Sequence, residues 1–503
     1  MRRIDAAAAA LLVLSLGCLF VHLGTVPALS LDEAWLGNFS LRLRALGSYT
    51  PHQMNHYTGP LYSWGLAGVT KLLGYGVAQI RTLGAALNAL ALIGLWLHLR
   101  RRVSVESGAA WALLVSGSAY FLMKSRLAWE VYALQPILIW GTLALLAEPA
   151  RGAAARAAAL TILTMLGVQN HFIYLSIPAS LVILFGARAA WLKKEDEALA
   201  GLRLAVCALT AGIVFALIKS PISDEAWVAH RRLLAATLLI VPLLAAAASW
   251  RLPAALFLRV LRKELLGIFA LTVLAFFVWH VVPLVQIFAG PVVFKRLFAL
   301  VLPLPLSLLL HVWGLFLVGI LIWQAVRAWH GEKMTFHERT LLLWPVAFAA
   351  VFIVFRHTSS LRYYNLPWMI CAAALAAGLP RLAAVDKKAV YLCAALVALL
   401  TQSALWREIK APADRAPLSF RVGWRKENSK DFSRKEGLFA AFDASGACQI
   451  GHSERSFSAI PLYFHRNEKP KPNCDPKLIF DADQCPECAA PPYYRWAIVP
   501  AAK

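Results

Sequence analysis

"LDEAWLGNFSLRLRALGSYTP" (31–51) begins just after the first long apolar run of the chain, residues 7–27, and sets Asp32 and Glu33 side by side at its mouth. Two adjacent carboxylates are costly beside a membrane span unless something there requires them. The next part of the stretch, "AWLGNFSLRLRALG" (34–47), spaces apolar residues at helical intervals with Arg42 and Arg44 between them. That pattern predicts a helix lying in the membrane interface. "GPLYSWGLAGVTKLLG" (59–74) reads as a second such helix or as a re-entrant span.

The rest of the chain repeats the signal around this stretch. Of its 503 residues, 60% are hydrophobic and 15% charged, and the mean hydropathy is +0.62. A soluble domain carries about 25% charged residues, so the composition excludes an ordinary soluble protein. Apolar runs of spanning length fall near 7–27, 77–99, 105–123, 131–149, 153–170, 171–190, 202–219, 231–249, 264–283, 300–325, 340–355, 366–380 and 388–405. The expectation is an all-α polytopic membrane protein of about 13 transmembrane helices.

The net charge of +23 follows the loops. With Arg2 and Arg3 inside, the inner loops hold 21 Lys and Arg, the outer segments up to residue 406 hold 13, and the tail holds 16. This obeys the positive-inside rule, and an odd number of spans sends the tail outside. No basic stripe interleaves with aromatics on a soluble module, which argues against nucleic acid as a partner. The first run also reads as a signal peptide with small residues near "TVPALS" (25–30); its cleavage would leave the Asp32 loop on the same side.

Two regions follow. Residues 1–406 form the membrane domain, with a long first external loop at 28–76, and residues 407–503 form a polar tail after Pro412 and Pro417. "CQIGH" (448–452), "IPLYFH" (460–465), "KLIFDAD" (477–483) and "YYRWAIVP" (493–500) read as strands of a small α/β or β extracytoplasmic domain. Cys18, Cys207, Cys371 and Cys393 sit in apolar spans and read as inert core residues. Cys448, Cys474, Cys485 and Cys488 all lie in the tail and predict two disulfides in one of three connectivities. The Cys485-Pro-Glu-Cys488 pair also admits a zinc or redox reading.

The residues that carry chemistry cluster on the predicted outer side. Asp32 and Glu33 share their loop with Trp35, His52, His56, Tyr57 and Tyr62. A carboxylate among aromatics in a partly dry cleft takes a proton from a hydroxyl or holds a divalent cation; solvated loop charges are the plainer alternative. In "MKSRLAWEVYALQP" (123–136), Arg126 and Glu130 lie one helical turn apart, either as a simple pair or as a phosphate-binding cation with an acid. "FRHTSSLRYYNLPW" (355–368) supplies Arg356, His357, Arg362, Tyr363 and Tyr364, and "GPVVFKRLF" (290–298) supplies Lys295 and Arg296. Arginine suits bidentate phosphate contacts, against the alternative of an aromatic belt with snorkelling cations. "LGVQNHFIYL" (166–175) places Asn170 and His171 at an outer tip, and Asn38-Phe39-Ser40 is a formal glycosylation sequon.

The "DE" pair after the first span, "YGVAQIRTLGAALNAL" (75–90), "SRLAWEVYAL" (125–134) and "LRYYNLPW" (361–368) together resemble the GT-C glycosyltransferases. Within them the chain is most similar to protein O-mannosyltransferases and to the aminoarabinose or galacturonic acid transferases of lipid A, over roughly residues 1–405. The resemblance implies a sugar donor carried on a polyprenyl phosphate, inverting transfer and no nucleotide cofactor; a divalent cation on Asp32 and Glu33 is the expectation from their carboxylates alone. Asp32 maps onto the family's general base, with Glu33 beside it. Arg126 and Glu130 fall where these families carry an Arg followed by an acid, and Arg362 with Tyr363 on the "RY" that faces the donor phosphate. The implied setting is a bacterial inner membrane with the site and tail facing the periplasm. The tail resembles no sugar-binding domain, so the acceptor stays open among lipid, glycan and protein. A transporter or flippase of lipid-linked saccharides is the rival; it would predict repeat symmetry and mid-depth ionisable residues, neither of which the sequence displays.

Overall fold

The computed structural model describes residues 2–27, 29–46, 58–148, 152–191, 196–218, 281–293, 302–330, 333–352, 361–410, 436–451, 460–470, 473–484 and 494–500, with isolated positions between 233 and 267. The membrane domain is built of helices joined by short turns and elbows. In chain order its helices are α1 (Arg2–Phe20), α2 (Leu31–Leu46), α3 (Leu61–Leu73), α4 (Val77–Arg102), α5 (Val105–Ser116), α6 (Ala119–Lys124), α7 (Glu130–Ala133), α8 (Gln135–Leu146), α9 (Ala153–Asn170), α10 (Ser176–Trp191), α11 (Asp196–Ile218), α12 (Val281–Ala289), α13 (Leu304–Trp329), α14 (Phe336–Phe352), α15 (Asn365–Gly378) and α16 (Ala384–Lys410).

Among the described residues five segments are long and apolar enough to cross a membrane: Val77–Arg102, Phe172–Ala190, Asp196–Ile218, Leu304–Trp329 and Asp386–Arg407. Shorter apolar helices accompany them, so the expected thirteen spans do not each appear as one unbroken helix. The run at 105–123 is cut after Ser116, where Gly117 and Ser118 intervene and the Ser118 hydroxyl caps α6 by accepting from Phe121 N–H at 3.2 Å. About half of the expected run at 231–249, and most of that at 264–283, lie outside the described residues.

The centre of the bundle is α15, buried at every residue from Asn365 to Gly378. Its "CAAALAAG" (371–378) brings little side-chain bulk, so neighbouring helices approach closely. At its start Trp368 stacks on Phe121 at 4.2 Å between ring centres. The first helix belongs to this core as well: Ser15 donates to Ser116 Oγ at 2.9 Å and accepts from Gln402 Nε2 at 2.9 Å, tying α1 to α5 and α16.

The tail is an α/β module. Helix α17 (Glu436–Ala444) precedes strand β1 (Ala447–Ile450), helix α18 (Ile460–Glu468) and strands β2 (Asp475–Gln484) and β3 (Tyr494–Pro500). The sheet order is β1-β2-β3, with β1 parallel and β3 antiparallel to β2. "IPLYFH", expected as a strand, is the first two turns of α18; its Ile460, Leu462, Phe464 and His465 are buried, and tertiary packing overrides β propensity there. Cys448 and Cys474 form a disulfide, whereas Cys485 and Cys488 lie outside the described residues. Cys18, Cys207 and Cys371 are buried as expected, and Cys393 is exposed on α16.

Helix α2 joins the two regions, and here the interfacial expectation is corrected. Rather than lying open on a membrane surface, α2 is enclosed between α3 and the tail, with Ala34, Leu36, Asn38, Phe39, Ser40 and Leu43 buried. Asn38 is the joint. Its Nδ2 donates to Ile460 O at 3.0 Å, and its Oδ1 accepts from Tyr75 O–H at 3.1 Å and Asn467 Nδ2 at 3.2 Å. The formal sequon is therefore a packed contact. Helix α3 fits the interfacial pattern better, burying Tyr62, Leu66 and Thr70 and exposing Trp64, Leu72 and Leu73.

Candidate active site

The elbow that follows α1, residues 21–27, is held by two buried arginines. Arg126 donates from Nε to Val26 O at 2.8 Å and from Nη2 to Val21 O at 2.8 Å and His22 O at 3.1 Å, while its Nη1 donates to Cys18 O. Arg81, on the first turns of α4, donates from Nη1 to Leu23 O at 3.0 Å and to Pro27 O at 2.6 Å. Carbonyls left at a helix end and in a tight elbow need donors once buried, and these guanidinium groups supply them.

Glu33 completes the frame. Ser30 and Glu33 form a capping box at the start of α2: Glu33 N–H donates to Ser30 Oγ at 3.3 Å and Ser30 N–H to Glu33 Oε2 at 3.0 Å. Oε2 also accepts from Arg81 Nη2 at 2.8 Å, and Oε1 accepts from Arg81 Nε at 2.7 Å and Ala128 N–H at 2.8 Å. A carboxylate offers about four lone-pair sites, and all of Glu33's meet a donor. With the side chain fully buried, it is closed to a substrate proton and to a cation. Asp32, one residue earlier on the same first turn, is half-buried and is the member of the pair that solvent can reach.

Four further segments meet at this end of the bundle. The 125–132 turn is fastened to α4 by Asn88, whose Nδ2 lies 3.3 Å from Ser125 O and 3.0 Å from Tyr132 O. Glu130 is buried, and its backbone oxygen accepts from Asn170 Nδ2 at 2.9 Å. His171 pairs with Thr58 as an isolated antiparallel bridge, and Gly59 N–H reaches Asn170 O at 3.4 Å, closing the first loop onto the α9–α10 tip. The His171 Nδ1 accepts from Ile173 N–H at 3.0 Å, and its ring faces Tyr363 at 6.2 Å between centres. Tyr363 and Tyr364 are buried in the short helix Leu361–Tyr364, and Tyr364 meets Phe352 edge-on at 5.6 Å.

The structure thus gathers Asp32, Glu33, Arg126, Glu130, His171, Tyr363 and Tyr364 at one end. Arg126 gives its Nε, Nη1 and Nη2 donors to backbone carbonyls of the elbow. His56, Tyr57, Lys295, Arg296 and His357 lie outside the described residues, and of Arg362 only the backbone is described. Among the described residues no group of three or more His, Cys, Asp or Glu side chains is placed to hold a metal ion.

Two residues not singled out from sequence, Arg81 and Lys124, belong here, and Tyr62 of the first loop joins them. Arg81 figured only as a charge. Lys124 is buried at the end of α6 with its Nζ 4.8 Å from the centre of the Tyr132 ring. Tyr62 is buried within electrostatic reach of Glu33, Glu130 and Arg81, and its hydroxyl has no hydrogen-bond partner among the described residues. The signal for Arg81 and Lys124 was available: a cation beside an apolar run needs a partner.

No known protein family and no curated protein matches the sequence. Solved structures do. The oligosaccharyltransferase AglB from Archaeoglobus fulgidus, in complex with an inhibitory peptide and a dolichol-phosphate, is 15% identical with a TM-score of 0.50, covering 93% of this chain. The apo form of the A. fulgidus oligosaccharyltransferase is 14% identical with a TM-score of 0.48 over 93% of this chain. This chain spans 60% of the length of either. ArnT from Cupriavidus metallidurans bound to undecaprenyl phosphate is 14% identical with a TM-score of 0.33, covering 74% of this chain and 78% of that one. AglB and ArnT are GT-C glycosyltransferases, and the likeness to AglB shows the fold of this chain's all-α polytopic membrane domain, to which a small α/β module is joined.

Proposed function

We propose that the chain is a membrane glycosyltransferase that moves a sugar from a polyprenyl-phosphate donor to a lipid, glycan or protein acceptor on the extracytoplasmic face, with inversion. The observation that carries this reading is the division within the Asp32-Glu33 pair. Glu33 is saturated by Arg81, Ser30 and Ala128, so it positions its neighbour, and Asp32 is presented on a rigid first turn. The acceptor hydroxyl oxygen attacks the anomeric carbon as the bond from that carbon to the phosphate oxygen breaks. Asp32 takes the hydroxyl proton, and the phosphate leaves with the electron pair.

Stabilising that leaving charge is the larger task. Arg362 is the proposed contact, with Lys295, Arg296 and His357 as further cations; Tyr363, Tyr364, His171, His56 and Tyr57 are proposed to shape the sugar site beside Glu130. A divalent cation would add charge at Asp32 alone, because Glu33 has no lone pair left to offer. The fold shared with AglB, solved with a dolichol-phosphate, supports a lipid-phosphate donor.

The test is a panel of radiolabelled polyprenyl-phosphate sugars offered to the purified full-length protein. Release of polyprenyl phosphate from one of them is expected. Saturable donor binding without release from any would overturn the reading in favour of a transporter.

A further inference from the structure

A cavity of about 380 Å³ opens where α2, the turn before α4 and the tail meet. Its charged lining residues are Arg44 and Arg466, one from each region, and among the described residues no carboxylate lines it. Two guanidinium groups lining one cavity with an apolar wall favour an anion there.

Their existing contacts are few and long. Arg44 Nη1 reaches Thr70 O at 3.4 Å, and Arg466 Nη1 reaches Cys448 O at 3.5 Å. Both sit at the limit of a hydrogen bond, in contrast to the short, crowded contacts of Arg81 and Arg126. Arg466 also stacks on Tyr463 at 4.7 Å, which uses the face of the guanidinium and leaves its N–H edge for an oxyanion. Tyr75 and Asn467 line the cavity too, but both are engaged by Asn38 and fix its wall. The Cys448–Cys474 disulfide fixes another.

The remaining lining is apolar, with Leu41 and Phe442 among it. An exposed apolar surface is close: Thr70, the residue Arg44 reaches, lies on α3 just before the exposed Leu72 and Leu73. An anionic head with a short apolar stem fits this combination of two cations, an apolar wall and exposed leucines nearby.

We propose that this cavity binds the phosphate-bearing headgroup of a lipid, with Arg44 and Arg466 as its two anion contacts. The site is separate from the Asp32 end of α2 and holds whether or not the chain transfers sugars.

The test titrates short-chain dihexanoyl phosphatidic acid into the detergent-purified full chain, with dihexanoyl phosphatidylcholine and inorganic phosphate in parallel arms. Saturable binding of phosphatidic acid is expected, tighter than that of either comparison ligand. Arg44→Gln or Arg466→Gln should each weaken it about tenfold or more, as loss of a charge-assisted contact does. Leu41→Trp, which fills the cavity and keeps both arginines, should abolish it while the thermal unfolding of the protein stays cooperative. Unchanged affinity in the Arg44→Gln/Arg466→Gln double variant, or in Leu41→Trp, would overturn the proposal. Inorganic phosphate binding as tightly as phosphatidic acid would overturn the lipid and leave a free-anion site.

Discussion

Arg81 grips Glu33 with two parallel hydrogen bonds, Nε to Oε1 at 2.7 Å and Nη2 to Oε2 at 2.8 Å, and neither side chain is exposed. Bidentate geometry of this kind fixes orientation as well as proximity. It sets the first turn of α2, and with it the direction in which Asp32 is presented. Removing one partner of a buried pair leaves an uncompensated charge and costs about 3–5 kcal/mol. Arg81→Ala should therefore lower the unfolding temperature of the detergent-purified protein markedly. Asp32→Asn, on a half-buried side chain, should shift it little.

Arg126 gives a separate test because its partners are all backbone oxygens. Lysine keeps the charge but has no fork, so Arg126→Lys should leave elbow carbonyls unsatisfied, at about 1–3 kcal/mol for each buried group orphaned. If Arg126 held the donor phosphate instead, Arg126→Lys would weaken donor binding with little effect on unfolding. Thermal unfolding and donor titration on the same sample separate the two.

Seating of the tail rests on Asn38 and Gly37. A Cβ at Gly37 would come 2.6 Å from Phe464 Cε2 and 2.9 Å from the Tyr75 hydroxyl, and overpacking of that kind costs about 1–3 kcal/mol. Asn38→Leu removes an amide that joins Ile460, Tyr75 and Asn467. Either change should loosen the tail from α2 and speed its release by limited proteolysis, while the bundle stays protected.

The Cys448–Cys474 bond closes a segment with a sequence separation of 26. Chain-entropy reasoning gives such a loop about 3–4 kcal/mol. Cys448→Ser should destabilise the tail by about that amount, read as a lower midpoint for loss of the tail in denaturant.

Much of this was legible in the sequence. Hydropathy gave the helical membrane domain, the cysteines gave an oxidised tail, and the "DE" pair pointed to the end where the candidate residues meet. What was not legible came from long-range pairing. Nothing local says that Arg81 belongs to Glu33, because the two lie 48 positions apart. Arg126 looked like a phosphate ligand because an exposed and a buried arginine read alike in sequence. The buried position of α2 was hidden for a related reason: one of its faces is covered by α18, more than 400 residues later, so an amphipathic helix was read against a membrane and not against a second domain. "IPLYFH" has β-forming residues, and the core between α2 and the sheet makes it a helix.

The most direct measurement compares polyprenyl-phosphate release by the wild type and by Asp32→Asn, each at the same folded concentration and with the donor that the wild type consumes. A general base contributes about 10²–10⁴-fold. The account predicts a loss of at least about a hundredfold with unfolding and donor affinity nearly unchanged. Equal release by the two proteins would contradict it and remove Asp32 from the chemistry.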